Sequence, residues 1–188
     1  MTPTSLPLTT PRLTLRLVEE ADLDTMWAYR SLPDVRMWLG GSHDRDQFRQ
    51  KFLEPADGRS QLAVVHDGVV IGDLMLDVQD AWSQGEVAEQ ARATQGLLGW
   101  TIHPDLHGRG LGSEAVTELV RHCFEDLGLR RVVAECFADN DPSWRLMERI
   151  GMRREAHHVK DSLHRDLGWQ DEFVYALLAE EWQRRQTV

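Results

Sequence analysis

The spacing of apolar residues changes along the chain between that of strands and that of helices. Alternation over 13–17 predicts a half-buried strand, whereas 19–30 carries apolar residues at helical spacing. The dipeptide Asp67-Gly68 joins two further apolar segments and suits a tight hairpin turn. The same reasoning predicts strands at 13–17, 61–66, 69–78, 96–102, 131–137, 152–161 and 172–178, and helices at 19–30, 44–53, 111–127, 139–150 and 179–186.

This order of elements predicts a mixed α/β (α+β) fold with a single central, mostly antiparallel sheet of about seven strands, flanked by helices. Residues 80–95 are polar and acidic without a clear period, and a long loop is predicted there. Residues 1–9, rich in Pro and Thr, are expected to form a loose lead-in. We expect 1–188 to be one domain, because 188 residues leave little room for a second.

Composition narrows the classes of function. A formal net charge of −10 argues against a nucleic-acid surface spread over the whole protein. The apolar runs are too short to span a membrane, and the start lacks the pattern of a signal peptide. We therefore expect a cytoplasmic protein with no nucleic-acid or membrane partner. Cys123 and Cys136 fall in apolar patterns and are expected to be reduced.

The clearest chemical signal lies in Gly99 to Val116. An apolar strand is followed by His107-Gly108-Arg109-Gly110-Leu111-Gly112, which opens a helical pattern. Glycines let a ligand approach the backbone, and successive N–H groups at a helix start suit a pyrophosphate. No Gly-Lys-Ser/Thr follows, as a nucleoside triphosphatase needs, and the spacing departs from the dinucleotide fingerprint of a dehydrogenase. A turn that only connects strand and helix is the other interpretation.

These residues resemble the signature of the GNAT superfamily of acyl-coenzyme A-dependent N-acyltransferases, Gln/Arg-x-x-Gly-x-Gly/Ala, with His107 at the first position. Asn140-Asp141-Pro142-Ser143, followed by Glu148 to Met152, resembles a second segment of that family. Thr10 to Arg16 and Gly168 to Ala176 resemble the RimJ/RimL-type branch, which acetylates N-terminal amines of ribosomal proteins. The resemblance therefore covers nearly the whole chain.

The resemblance implies a GNAT-like sheet splayed at an acyl-CoA cleft, acetyl-CoA as the co-substrate, and no metal. It implies that 100–102 lies along the thioester, that 108–113 holds the pyrophosphate, and that Asn140 and Ser143 contact the pantetheine arm. The implied coenzyme-binding residues are Trp100, Thr101, Ile102, Gly108, Arg109, Gly110, Leu111, Gly112, Ser113, Asn140 and Ser143. Helix capping is a second role for Asn140, compatible with ligand contact, and capping or solvent exposure is the alternative for Ser143.

The implied reaction is direct attack of an amine on the thioester in a ternary complex. In many family members a tyrosine seven residues after the Asn protonates the leaving thiolate, but this chain has Met147, which cannot donate a proton. We predict Ser143 as the substitute and Glu135 as the general base, acting directly or through water. Glu155 and Asp161 are weaker candidates for that base.

A metal site at His103 and His107 is disfavoured, because Pro104 between them argues against a helical pair. The expected acceptor is a small-molecule amine or a peptide N-terminus, drawn by the acidic segment 80–95. Three tryptophans are candidates for its site, with core packing as the alternative: Trp27, Trp38 and Trp82. The other functional hypotheses are a non-catalytic acyl-CoA sensor, a transferase of a different acyl group, and a nucleotide-binding dehydrogenase or triphosphatase. A homodimer is one candidate assembly.

Overall fold

The computed structural model describes residues 6–40 and 44–186 of the chain. Within these residues one mostly antiparallel sheet has eight strands in the spatial order β1-β2-β3-β4-β5-β6-β8-β7. The strands are β1 (Leu8–Thr9), β2 (Leu13–Leu17), β3 (Arg59–His66), β4 (Val69–Gln79), β5 (Gln95–Ile102), β6 (Arg131–Phe137), β7 (Arg153–His164) and β8 (Gly168–Leu178). The helices are α1 (Leu23–Arg30), α2 (Pro33–Arg36), α3 (Arg45–Leu53), α4 (Ala88–Ala91), α5 (Leu111–Arg121), α6 (Asp141–Arg149) and α7 (Ala179–Gln186). The predicted mixed α/β fold is confirmed.

The sheet has one strand more than the predicted seven. The additional strand is β1, which pairs antiparallel with β2 through Leu8 opposite Leu15 and Thr9 opposite Thr14. Leu8 is 4% exposed, so burial of its side chain ties this part of the chain to the sheet. The predicted loose lead-in is therefore wrong for residues 8 and 9, and residues 1–5 lie outside the described part. Two residues are too few to produce a recognisable alternation.

The predicted long loop over 80–95 contains regular structure. A 3-10 turn at Gly85–Val87 leads into α4, and β5 begins at Gln95. The backbone N–H of Ala81 donates to the carbonyl of Ala91 at 2.9 Å, which closes the segment on itself. None of the residues of this turn or of α4 is buried, so their sequence has no apolar stripe from which a helix could be predicted.

Two compact units make up the chain: Met1–Asp77 with Gly99–Leu119, and Val78–Leu98 with Val120–Val188. The core of the first unit forms where α1 and α3 bury aromatic and aliphatic side chains. Phe48 and Phe52, one helical turn apart on α3, have ring centroids 4.7 Å apart, and Trp27 packs edge-on against Phe48 at 5.1 Å. The buried cluster is Val18, Leu23, Met26, Tyr29, Phe48, Phe52 and Ala63.

In the second unit, β6 pairs antiparallel with β8, so that Val132 lies opposite Leu177 and Glu135 lies opposite Val174. Parallel pairing of β5 with β6 joins Gln95 to Arg131 at the start of each strand. The predicted helix over 111–127 is regular through α5 and widens into a π-helical turn at His122–Asp126. The core residues of this unit include Val132, Ala134, Met147, Tyr175, Leu177 and Trp182.

Candidate functional site

The predicted phosphate loop has the backbone shape that the chemistry needs. Gly108 and Gly110 have φ angles of 74° and 77°, a left-handed conformation that side chains disfavour. The carbonyl of Gly110 accepts the first helical hydrogen bond, from the N–H of Glu114 at 3.0 Å, and α5 begins at the next residue. The first N–H groups of a helix have no acceptor in a preceding turn, so this loop presents backbone donors for an anion. A Cβ atom at Gly108 would meet nothing within 4 Å, so one side of the loop is open.

His107, which departs from the family signature, serves the backbone of the same turn. Its Nε2 lies 2.9 Å from the carbonyl oxygen of Ile102, so the ring links the loop to the end of β5. The ring atom Nδ1 of His103 accepts a hydrogen bond from the backbone N–H of Asp105 at 3.2 Å. The backbone N–H of His103 donates to the carbonyl of Ile71. Both rings therefore hold the strand-to-loop connection rather than forming a helical pair.

The end of β5, predicted to lie along the thioester, packs tightly against β4. A Cβ atom at Gly72 would lie 2.4 Å from the carbonyl oxygen of Thr101 and 2.7 Å from Cδ1 of Ile102. Thr101 and Ile102 are buried, whereas Trp100 is half-buried. Gly72 was not among the predicted site residues, although an isolated glycine within a strand pattern indicates a close approach of another backbone.

A network of polar side chains in the interior of the first unit binds the hydroxyl of Thr101. Arg30 donates from Nη1 to both carboxylate oxygens of Asp73, at 2.8 and 2.7 Å, and to Oγ1 of Thr101 at 2.9 Å. The hydroxyl of Tyr29 donates to the same carboxylate at 2.6 Å. Burial and the charge of Asp73 raise the pKa of Tyr29 far above its usual value. The Thr101 side chain is thus engaged within the protein, and its backbone is the part suited to a ligand.

In the second unit, Asn140 and Ser143 lie at the start of α6. The carbonyl of Asn140 accepts from the N–H of Ser143 at 3.0 Å, but the Asn140 side chain makes no capping hydrogen bond. Side-chain capping by Asn140, one of the two interpretations of this residue, is therefore wrong. The hydroxyl of Ser143 forms a hydrogen bond with the thiol of Cys136, whose pKa is raised to about 11, mainly by burial.

Glu135, the predicted base, extends from β6 close to a second carboxylate. Its pKa is raised by partial burial and by the negative charge of Glu172, and it is lowered to a smaller extent by His158. Glu172 accepts a hydrogen bond from Ser162 at 3.0 Å and lies 3.3 Å from Nδ1 of His158. A carboxylate with a raised pKa is a better proton acceptor than an ordinary one, so these surroundings suit a general base.

The weaker candidates for the base differ from Glu135. Ion pairs with Arg131, at 2.6 Å, and with Arg153, at 2.5 Å, hold the pKa of Glu155 below its usual value. A carboxylate with a lowered pKa is a weaker proton acceptor, so Glu155 is less suited to the role of general base. Asp161 lies 3.9 Å from His158. Of the described residues, one set offers metal-ligand atoms within 4.8 Å of one another: His158, Asp161 and Glu172.

No tyrosine occupies position 147, where many family members carry the acid. Met147 is fully buried, with an exposure of 0%. The hydroxyl of Tyr175 donates to Glu148 at 2.8 Å and accepts from Nε of Arg154 at 2.9 Å, and its pKa is raised, chiefly by burial. The only other tyrosine, Tyr29, donates to a buried carboxylate. The hydroxyl protons of both tyrosines are therefore engaged in hydrogen bonds within the protein.

The three candidate tryptophans have different environments. Trp82 is 92% exposed, so it projects into solvent rather than lining a cavity. Trp27 packs on Phe48 and beneath the guanidinium of Arg45, whose carbon lies 4.7 Å from the ring centroid. Trp38 is half-buried. Packing accounts for Trp27, as the alternative interpretation expects.

Comparison with known proteins bears directly on this loop and its surroundings. The sequence pattern of the acetyltransferase (GNAT) domain matches residues 12–153, which include the glycine loop, Glu135 and Asn140. The chain belongs to the GNAT acetyltransferase family. Its reaction class is therefore acyl-CoA-dependent N-acetyl transfer, and the predicted family and enzyme class are confirmed.

Individual relatives of this GNAT protein agree. It is 27% identical over 179 residues to the uncharacterised N-acetyltransferase YnaD of Bacillus subtilis, across 93% of this chain and 98% of the relative. It is 32% identical over 85 residues to the [ribosomal protein uS5]-alanine N-acetyltransferase of Escherichia coli, across 45% of this chain and 43% of the relative. The latter match confirms the likeness to the ribosomal-protein branch.

A solved structure extends the agreement to the fold. The GNAT-family acetyltransferase from Bacillus anthracis superposes with a TM-score of 0.77 at 29% identity, covering 94% of this chain and 100% of that one.

Among the helices of the described residues, none is both long and apolar enough to cross a membrane.

Proposed function

We propose that this protein acts as one domain that transfers the acetyl group of acetyl-CoA to the primary amine of a peptide N-terminus or of a small molecule. The observation that carries the proposal is the glycine loop, in which left-handed Gly108 and Gly110 precede the first turn of α5. Backbone donors in that arrangement suit the diphosphate of coenzyme A.

The donor would be held by backbone and side-chain groups of the predicted binding residues. Residues 108–113 would bind the diphosphate, and the backbone of 100–102 would lie along the thioester. The Asn140 side chain, which makes no capping bond, is suited to the pantetheine arm. Ser143 offers a hydroxyl that now bonds to Cys136, and a thiolate sulfur is chemically similar to that partner.

Starting from a cationic amine, the proposed reaction removes two protons from the nitrogen, one to solvent before attack and one to the base, and delivers one proton to the thiolate. Glu135, directly or through water, would take the proton that the amine loses as its nitrogen bonds to the thioester carbon. The tetrahedral intermediate then collapses, the C–S bond breaks, and the thiolate takes a proton through Ser143 or from water. Direct attack requires no metal, and positioning of the two substrates supplies much of the acceleration.

The acceptor is proposed to be cationic before it reacts. The net charge of −10 attracts such groups, and one relative is named as a [ribosomal protein uS5]-alanine N-acetyltransferase. Both cysteines are free thiols, which fits a reducing, cytoplasmic location. We also propose that the protein forms a homodimer and that its partners include neither nucleic acid nor membrane.

Thiol release from acetyl-CoA in the presence of amines tests the proposed function. We expect release with at least one member of a panel that contains peptides with free N-termini, amino acids, polyamines and aminoglycosides. Propionyl-CoA and succinyl-CoA serve as alternative donors, and faster turnover of either would reassign the acyl group. Tight binding of acetyl-CoA without release for any amine would favour the non-catalytic sensor instead.

The role of Glu135 predicts a specific pH dependence. Glu135→Gln should lower kcat/KM for the amine about 100-fold, because general bases contribute on this order. A base works when deprotonated, so its raised pKa places the acid limb of the pH–rate profile above that of an ordinary glutamate. Glu172→Gln removes the neighbouring negative charge, lowers the pKa of Glu135 and should move the acid limb to lower pH.

The control for these pH profiles is Glu180→Gln, which changes an exposed carboxylate on α7 whose side chain is 71% accessible. Its profile should match that of the unmodified protein. An unchanged acid limb in Glu172→Gln, or a Glu135→Gln variant with full activity, would reject Glu135 as the base.

A further inference from the structure

Arg12, in the turn between β1 and β2, contacts the glycine loop from a distant part of the sequence. Its Nη1 donates to the carbonyl oxygen of Arg109 at 3.0 Å, across 97 positions of sequence. A Cβ atom built at Gly110 would lie 3.5 Å from Nη2 of Arg12. The guanidinium therefore lies against the peptide that joins Arg109 to Gly110.

Glu114, in the first turn of α5, fixes the direction of this guanidinium. Its Oε2 accepts from Nε of Arg12 at 2.6 Å and lies 2.5 Å from Nη2, so the guanidinium approaches it through two nitrogens. Its Oε1 accepts from the hydroxyl of Thr10 at 2.5 Å and from the backbone N–H of Arg12 at 3.1 Å. Although burial opposes ionisation, these hydrogen bonds hold the pKa of Glu114 below its usual value.

The geometry of the peptide bond gives this contact a consequence for binding. In a trans peptide the C=O and the following N–H point in opposite directions. Because Arg12 holds the carbonyl of Arg109, the N–H of Gly110 must point away from Arg12. A left-handed glycine can rotate that peptide at little cost when nothing holds it, so a hydrogen bond to the carbonyl oxygen restricts its orientation.

We propose that Arg12 is a positioning residue for the donor site. Together with Glu114 it fixes the peptide between Arg109 and Gly110, so that the loop presents its N–H groups to the diphosphate of the coenzyme. This inference rests on the proposed function, because it assumes that the loop binds coenzyme A. It assigns Arg12 no contact with the reacting atoms.

A truncated donor separates this role from a general loss of structure. Acetyl-CoA carries the diphosphate, whereas S-acetylpantetheine lacks it and ends in the same thioester. Arg12→Ala should raise KM for acetyl-CoA, or the calorimetric Kd of coenzyme A, roughly 10-fold, as expected for loss of a charged hydrogen bond. KM for S-acetylpantetheine and kcat with either donor should stay unchanged.

Two further variants test the path through Glu114. Glu114→Gln should weaken coenzyme A binding by a similar factor, and the double variant should be no weaker than either single one, because both act through one peptide. Arg12→Lys keeps the charge without the planar fork and should recover the binding only in part. Tighter binding in Glu114→Gln would overturn the proposal, since it would show Arg12 freed to meet the phosphates itself.

The matched control is Arg49→Ala. Arg49 pairs through two nitrogens with Glu20, at 3.0 and 2.7 Å, and its side chain is 49% exposed against 45% for Arg12. This variant should leave both donors unaffected. Equal rises in KM for acetyl-CoA and S-acetylpantetheine, or an unchanged Kd for coenzyme A in all Arg12 and Glu114 variants, would reject the positioning role. Failure of the unmodified protein to bind coenzyme A would instead reject the proposed function.

Discussion

Replacing Asp73 by alanine is expected to lower the free energy of unfolding by about 3–5 kcal/mol, the usual effect of removing one partner of a buried ion pair. Side-chain exposure is 5% for Asp73 and 12% for Arg30, so the guanidinium would stay in the interior without its counter-charge. Tyr29 would lose the acceptor of its hydroxyl proton in the same substitution. Urea denaturation followed by circular dichroism measures the change.

The control for Asp73 is a surface pair in the same unit. Asp24 and Arg45 have side-chain exposures of 89% and 56%, and Asp24→Ala should change the free energy of unfolding by no more than about 0.5 kcal/mol. An equally small change for Asp73→Ala would contradict the role given to the network. Thr101 lies in that network, so Asp73→Ala should also weaken the binding of coenzyme A.

A methyl group at Gly72 is expected to lower the free energy of unfolding by about 2–3 kcal/mol, at the upper end of ordinary overpacking. The added Cβ would lie 2.4 Å from the carbonyl oxygen of Thr101, and a backbone atom cannot move aside as a flexible side chain can. Relief requires β4 and the end of β5 to separate. The melting temperature and the Kd of coenzyme A should therefore change together.

Gly99→Ala provides the comparison, because its Cβ would lie 3.4 Å from the terminal methyl of Met75 and can displace that flexible side chain. Its effect on stability should be much smaller than that of Gly72→Ala. If the two variants melt alike, the close approach of β4 to β5 is not what requires glycine at position 72.

The elements that the sequence predicts well are those whose burial is periodic. The stripe on α5 and the turn at Asp67-Gly68 are local patterns, and both residues of that turn have positive φ angles, 49° and 78°. β1 and α4 were missed because two and four residues are too few to show a repeating pattern. The short helix α2, which begins at Pro33, was not predicted either.

The site could be predicted only as far as its local sequence reaches. Glycine spacing identifies the loop, because left-handed backbone has a residue preference. The hydrogen bond from Arg12 to Arg109 joins positions 97 residues apart, and the bond from Arg30 to Thr101 joins positions 71 residues apart. No local sequence pattern predicts contacts over such separations. Likewise, the sequence could not show whether the Asn140 side chain caps α6, because that depends on its rotamer.

The surroundings of the two cysteines have a practical consequence for chemistry at sulfur. Burial raises the pKa of Cys123 to about 12 and that of Cys136 to about 11. At pH 7 the reactive thiolate is then only about one part in ten thousand at Cys136, and less at Cys123. Disulfide reagents should therefore modify the folded protein slowly. Free thiol that forms rapidly during turnover can be assigned to coenzyme A rather than to the protein itself.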